Sequence, residues 1–258
     1  MDAIVALRPR GVLSDGYRRV SIFVSRADRP ASAAAGYAGA MTIPTLAPLL
    51  VHADPWLVVA DKPAGLLCVP GRGADKADCL ASRVAEMVAD ALVVHRLDMA
   101  TSGLVVFGRG AAMQRALSMA FEERQVLKQY QAVVAGLLAE DQGEITLPLS
   151  ANWPHRPRQQ VDLQAGKPSL TRWTVLQRDL QAGTSRLQLS PVTGRSHQLR
   201  VHLAAIGHPI LGDALYADPT WAAAAPRLLL HASDLAIPAL PEAGGPAQGW
   251  QFHSPTPF

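Results

Sequence analysis

The chain keeps its apolar residues in short runs, and this limits the fold more than any other feature. Trp56–Ala60, Leu104–Phe107, Gln129–Gly136, Trp173–Leu176, Arg186–Leu189, Leu228–Leu230 and Leu235–Ile237 each fit a strand, and none is longer than eight residues. The first stops at the turn signal Asp61-Lys62-Pro63-Ala64-Gly65, and the third ends on a glycine. Helical spacing is confined to Leu80–Ala89, to Ala111–Glu123 with Met113, Leu117, Ala120 and Phe121 on one stripe, and to His197–Ile206, which Gly207 ends. Consecutive strands are often joined by short connections. The expected class is α+β, with a central mixed, mostly antiparallel sheet and flanking helices. No internal repeat is visible.

Length and composition exclude several classes. A chain of 258 residues can bury a sizeable core, and 49% hydrophobic with 17% charged residues is a globular balance. The two cysteines, Cys68 and Cys79, form no CxxC pair, which disfavours a zinc site or a disulfide framework. No run reaches the roughly 18 apolar residues of a membrane span, and the N-terminus lacks the pattern of a secretory signal. The expectations are a cytoplasmic protein, no membrane, no metal, and a monomer.

Charge is unevenly placed. Residues 1–40 hold six arginines and three aspartates, which leaves 18 basic and 18 acidic residues beyond them. The main domain is therefore neutral, and any nucleic-acid surface must be a local patch. Residues 1–44 are expected to be a basic, low-complexity extension, disordered or preceding the true start at Met41; residues 45–258 are expected to form the catalytic domain.

Three segments carry chemistry. His95-Arg96-Leu97-Asp98-Met99-Ala100-Thr101-Ser102-Gly103 is a polar stretch between two apolar runs; in isolation, Asp98 is an ordinary turn cap. Thr193-Gly194-Arg195-Ser196-His197-Gln198-Leu199-Arg200-Val201-His202 joins a strand end, a glycine turn and a helix start. It suits either an anion clamp or a solvated helix start with His202 and His208 at the surface. Lys128-Gln129-Tyr130 opens a strand, and a tyrosine there is most often core packing. A hydrolase triad of Ser102, His95 and Asp98 is disfavoured because no GxSxG elbow is present. The spacing of His197, His202 and His208 is not that of a helical zinc pair.

Taken together, these segments resemble the RluA-type family of pseudouridine synthases. The resemblance rests on HRLDxxTSG at His95–Gly103, KxY at Lys128–Tyr130 and TGRxHQLRxH at Thr193–His202. The Gly207–Asp213 segment, the entry turn at Asp61–Gly65, Leu230-His231-Ala232 and Ser254–Phe258 add to it, so that it covers roughly residues 50–258. Residues 152–161 and Ser196 are similar to the short, dual-specificity branch, which lacks the extra N-terminal RNA-binding domain of many relatives.

The resemblance implies a pseudouridine synthase fold with an RNA-binding cleft, no cofactor, and tRNA and 23S rRNA as partners, at the uridine 32 and uridine 746 types of stem-loop. It implies Asp98 as the catalytic carboxylate, Arg195 as its basic partner, and Tyr130 as the residue that stacks on the base and takes part in proton abstraction. Arg96, Leu199, His197, Gln198 and Arg200 would bind the flipped nucleotide, and Lys128, Arg156 and Arg158 would contact RNA. A carboxylate flanked by a permanent cation suits this chemistry, since burial alone would favour the neutral acid. Two rival functions use the same residues: a non-catalytic RNA-binding module, and a nucleoside hydrolase that releases uracil. The hydrolase lacks an evident second carboxylate.

Overall fold

The computed structural model describes residues 19–20, 49–73 and 76–258. Its elements run β1 (Arg19–Val20), β2 (Leu49–Ala53), β3 (Leu57–Lys62), α1 (Leu80–Met87), β4 (Ala91–Val93), β5 (Ser102–Arg109), α2 (Gly110–Glu122), β6 (Leu127–Ala135) and β7 (Gln142–Ile145). They continue with β8 (Leu149–Ala151), β9 (Gln159–Val161), β10 (Thr171–Asp179), β11 (Thr184–Pro191), α3 (Gln198–Ala205), α4 (Pro219–Ala223), β12 (Leu230–Ile237) and β13 (Trp250–His253). The class is α+β, as the short apolar runs require. Of the expected N-terminal extension, only Arg19–Val20 falls within the described residues, where it pairs parallel with Glu144–Ile145; the rest of residues 1–44 lies outside them.

One sheet organises the molecule, in the order β1-β7-β10-β11-β6-β12-β5-β3-β2, with β13 beside β12 and β4 beside β5. Strands β8 and β9 form a separate two-stranded arm. The expected strand stretches Leu228–Leu230 and Leu235–Ile237 meet in a single strand: β12 begins at Leu230, the last residue of the first, and runs through the second, with its register against β6 shifting between Ala232 and Asp234. A local irregularity breaks the alternation there, so the sequence looks like two pieces.

The pairings among the central strands are antiparallel except at β5 and β12, which run parallel through only two residue pairs, His231 with Ser102 and Ala232 with Gly103. This short parallel seam divides the apolar interior. On one side, β6, β10, β11 and α3 pack around Leu187, Leu189, Leu203 and Ile210. On the other, α2 covers β3 and β5 through Met113 and Leu117, and α1 packs against Phe107 through Leu80 and Val84. Tyr130 of β6 packs against the clusters on both sides of the seam.

A polar chain pins the seam. The hydroxyl of Ser102 lies 2.9 Å from Nδ1 of His231, and Nε2 of His231 lies 3.0 Å from Oγ of Ser254. Ser254 in turn donates to Asp61. Because the Asp61 carboxylate only accepts, Ser254 gives its proton away and receives one from Nε2, so Nδ1 of His231 accepts from Ser102. The C-terminal segment is thereby tied to β3, β5 and β12.

Gly103 makes the seam sterically possible. Its φ is +114°, and a Cβ would lie 2.3 Å from the carbonyl oxygen of Ala232 and 2.5 Å from its nitrogen. Gly103→Ala is expected to destabilise the protein by about 3 kcal/mol or more, read as a lowered urea midpoint; a wild-type midpoint would contradict this packing.

Candidate active site

Two loops and one strand end meet where the seam opens. The first loop, residues 94–101, leaves β4 and carries Asp98. The second, residues 192–197, leaves β11 and enters α3. Tyr130 lies between them, paired with Leu189 of β11 and Ala232 of β12. Together they line a cavity of about 600 Å³.

The Asp98 loop is held from three sides. His95 stacks on Phe121, ring centroids 4.4 Å apart, and its Nε2 accepts the amide proton of Val106 at 3.0 Å. Burial pushes its pKa down to about 3, which keeps the accepting nitrogen free. Gly65 donates its amide to the carbonyl of Met99 at 2.8 Å. Lys62 is fully buried, and its ammonium donates to the carbonyls of Pro63, Leu66 and Met99 at 2.8–3.0 Å. The entry turn and the Asp98 loop thus share one cation. Lys62 belongs to the quoted Asp-Lys-Pro-Ala-Gly turn, but only the fold shows that its side chain turns inward.

Asp98 faces two basic groups. Its Oδ2 is 3.6 Å from Nη1 of Arg200 and 3.9 Å from Nε2 of His197. Arg200 is itself buried and forks onto Asp213, with Nε at 2.7 Å from Oδ2 and Nη2 at 2.6 Å from Oδ1. Asp213 has no exposed side-chain surface. The fork uses Nε and Nη2 and leaves Nη1 directed at Asp98. The Asp213 carboxylate, followed by Asp98, holds the Arg200 pKa above its ordinary value despite burial.

This geometry corrects the expected pairing. Arg195 lines the same cavity but is exposed, and its Nε reaches the carbonyl of Pro168 at 3.4 Å. Among the described residues, no ion pair joins it to Asp98. Its backbone amide is captured by Oε1 of Gln198, which turns the chain so that Arg200, inside α3, faces the carboxylate.

Gln198 also lines the cavity, with its side-chain amide turned onto neighbouring loops. Its Oε1 accepts from Thr193 and from the Arg195 amide, and its Nε2 donates to Leu170 and Thr171. Both ends are engaged within the protein, so the side chain shapes the loop. His202, a surface residue in the alternative of a solvated helix start, is fully buried between Thr171 and the Leu147 carbonyl, and burial lowers its pKa to about 4.

The remaining residues fall in two places. Arg96, Lys128, Leu199 and His197 line the cavity with Tyr130. Lys128 holds its ammonium 5.8 Å from the Phe121 ring centroid. With Arg124, Arg195 and Arg200, the lining includes five Arg or Lys side chains against two carboxylates, Asp98 and Glu122. This is the local positive patch that a neutral domain needs for a polyanion. Arg156 and Arg158 lie outside the cavity, exposed on the loop of the β8–β9 arm, where Arg156 stacks on the exposed Trp153 ring at 3.5 Å.

Residues 56–205 match the family model described as RNA pseudouridylate synthase. The chain belongs to that family. It is 50% identical over 188 residues to the dual-specificity RNA pseudouridine synthase RluA of Pasteurella multocida, covering 73% of this chain and 85% of that protein. It is 47% identical over 189 residues to the protein of the same description from Escherichia coli, covering 73% and 86%. Among solved structures, human RNA pseudouridylate synthase domain containing 1 superposes with a TM-score of 0.66 at 28% identity, over 81% of this chain and 83% of that one. The chain is therefore an RluA-type RNA pseudouridine synthase, an isomerase.

Lys62 gives a pH-dependent test of how the site is held. Burial lowers its pKa from 10.5 to about 8. Between pH 8 and 10.5 the unfolded chain binds more protons than the folded one, so the stability contributed by Lys62 rises with pH and is constant below that window. The unfolding free energy of wild type minus that of Lys62→Met should climb by about 1.4 kcal/mol per pH unit within it. A flat difference from pH 7 to 10 would contradict the lowering of the Lys62 pKa by burial.

Proposed function

We propose that this synthase modifies uridines in stem-loops of both tRNA and 23S rRNA, at the uridine 32 and uridine 746 types of site, with Asp98 as its catalytic carboxylate. The observation that carries the assignment is the position of Asp98. It is the carboxylate in the cavity that faces both a buried guanidinium and an imidazole. The dual specificity is supported by the descriptions of relatives that are 46–50% identical.

The reaction is an isomerisation, so atoms and electrons balance within the uridine. The bond from C1′ of the ribose to N1 breaks, the uracil turns, a bond from C1′ to C5 forms, and the C5 proton leaves as N1 gains one. Asp98 acts at the sugar while the base is detached. Arg200 sets a permanent positive charge beside it, and the His197 imidazole faces it from the other loop. The target nucleotide must leave its stack to reach Asp98. Tyr130 and Leu199 wall the pocket. Burial, reinforced by the charge of Asp98, holds the Tyr130 phenol well above its ordinary pKa, so it meets the base as a neutral stacking ring.

Recognition is divided between the cavity and the β8–β9 arm. The basic lining of the cavity receives the backbone around the flipped nucleotide. Arg156, Arg158 and Trp153 offer charge and a stacking face to the rest of the loop.

The test is to incubate tRNA and 23S rRNA transcripts with the protein and map pseudouridine by an adduct that stops primer extension. Wild type should give product on both, and Asp98→Asn none on either, with RNA affinity retained. Product from Asp98→Asn would reject the catalytic assignment. Product on one RNA class alone would reject dual specificity, and free uracil would indicate hydrolysis.

A further inference from the structure

One side chain outside every motif connects the RNA-facing arm to the groups around Asp98. The Tyr216 hydroxyl lies 2.7 Å from the backbone nitrogen of Gln159, the first residue of β9, and 2.7 Å from Nδ1 of His197. The Tyr216 ring meets the His197 ring edge-on, and the Arg200 guanidinium lies 5.1 Å from its centroid. Tyr216 therefore touches both groups that face Asp98. Asp213 fixes Tyr216 in turn by accepting its amide proton at 3.2 Å.

One arrangement of protons gives every donor along this chain an acceptor. The Gln159 amide can only donate, so the phenol oxygen accepts there. The phenol proton is then free to go to Nδ1 of His197. Burial lowers the His197 pKa, Asp98 and Asp213 oppose that shift, and Arg200 and Arg96 add to it. The net direction favours the neutral ring, which carries a single proton. With Nδ1 accepting, that proton sits on Nε2, the nitrogen 3.9 Å from the Asp98 carboxylate. The backbone of His197 is also held in the left-handed region at φ 54°, a conformation a non-glycine residue keeps only where its surroundings enforce it.

We propose that Tyr216 is a positioning residue for the isomerisation: its hydroxyl sets the His197 tautomer that presents a proton to Asp98, and ties that tautomer to the seating of the β8–β9 arm. The proposal rests on Asp98 being the catalytic carboxylate. An arm displaced from the body withdraws the Gln159 amide from the phenol, freeing the hydroxyl to rotate and the imidazole to change tautomer. The residue that sets the geometry at the carboxylate is thus also the one that feels whether the arm is in place.

Two readouts test this. Long-range proton–nitrogen correlation spectra of histidine-labelled protein report the tautomer directly. In wild type His197 should be the Nε2–H form, and an Nδ1–H form would overturn the proposal, whatever any variant does. In single-turnover assays at saturating tRNA transcript, Tyr216→Phe should slow pseudouridine formation about ten-fold, with Kd changed less than about two-fold. In a His197→Ala background the same substitution should add less than about two-fold. Equal slowing in both backgrounds would show that Tyr216 does not act through His197. Failure of the Asp98 assignment would be seen separately, as pseudouridine formed by Asp98→Asn.

Discussion

The buried ion pair between Arg200 and Asp213 is the interaction on which the site depends. A guanidinium removed from water is tolerable only when its donors are satisfied, and breaking such a pair costs about 3–5 kcal/mol. Asp213 meets that need through a two-point fork and also accepts the backbone amides of Leu215 and Tyr216. The planar guanidinium then has one direction left for Nη1, and that direction contains Asp98. A structural ion pair thereby fixes a cation at the Asp98 carboxylate. A lysine could not span both acids, because its ammonium has no fixed fork.

The rest of the fold brings this pair to Asp98. Helix α3 carries Arg200 and packs against the strands on one side of the sheet, while the Asp98 loop feeds β5 on the other. The two halves join at a parallel contact of two residue pairs, which needs a glycine at 103. Within one half, Lys62 ties the entry turn to the Asp98 loop. The site lies at this seam, where two separately packed apolar clusters meet and where Tyr130 touches both.

Much of this was legible in the sequence, because its signals are local. Strands such as β5 and β6 announce themselves by apolar runs, and α2 by its stripe of Met113, Leu117 and Ala120. The cavity lining was legible as residue types in ordered motifs. What escaped was long-range partnership. Arg195 and Arg200 are five residues apart in one motif, and no spacing rule says which is exposed and which is buried against Asp213. Lys62 resembles a surface turn lysine until the turn is folded over Met99. Tyr216 had no local signal, since its role comes from two partners 19 and 57 residues away. Strand β12 was split because a register shift within it mimics a break.

Arg195 is exposed and Arg200 is buried against Asp213, and substitution of each by lysine tests most directly which of them serves Asp98. The measurement is single-turnover pseudouridine formation at saturating RNA, with Kd determined alongside. Arg200→Lys should lose about a hundred-fold in rate with Kd nearly unchanged, because charge remains while the fork is lost. Arg195→Lys should keep most of the rate. A slow Arg195→Lys protein beside an active Arg200→Lys protein would contradict the account and restore Arg195 as the partner of Asp98.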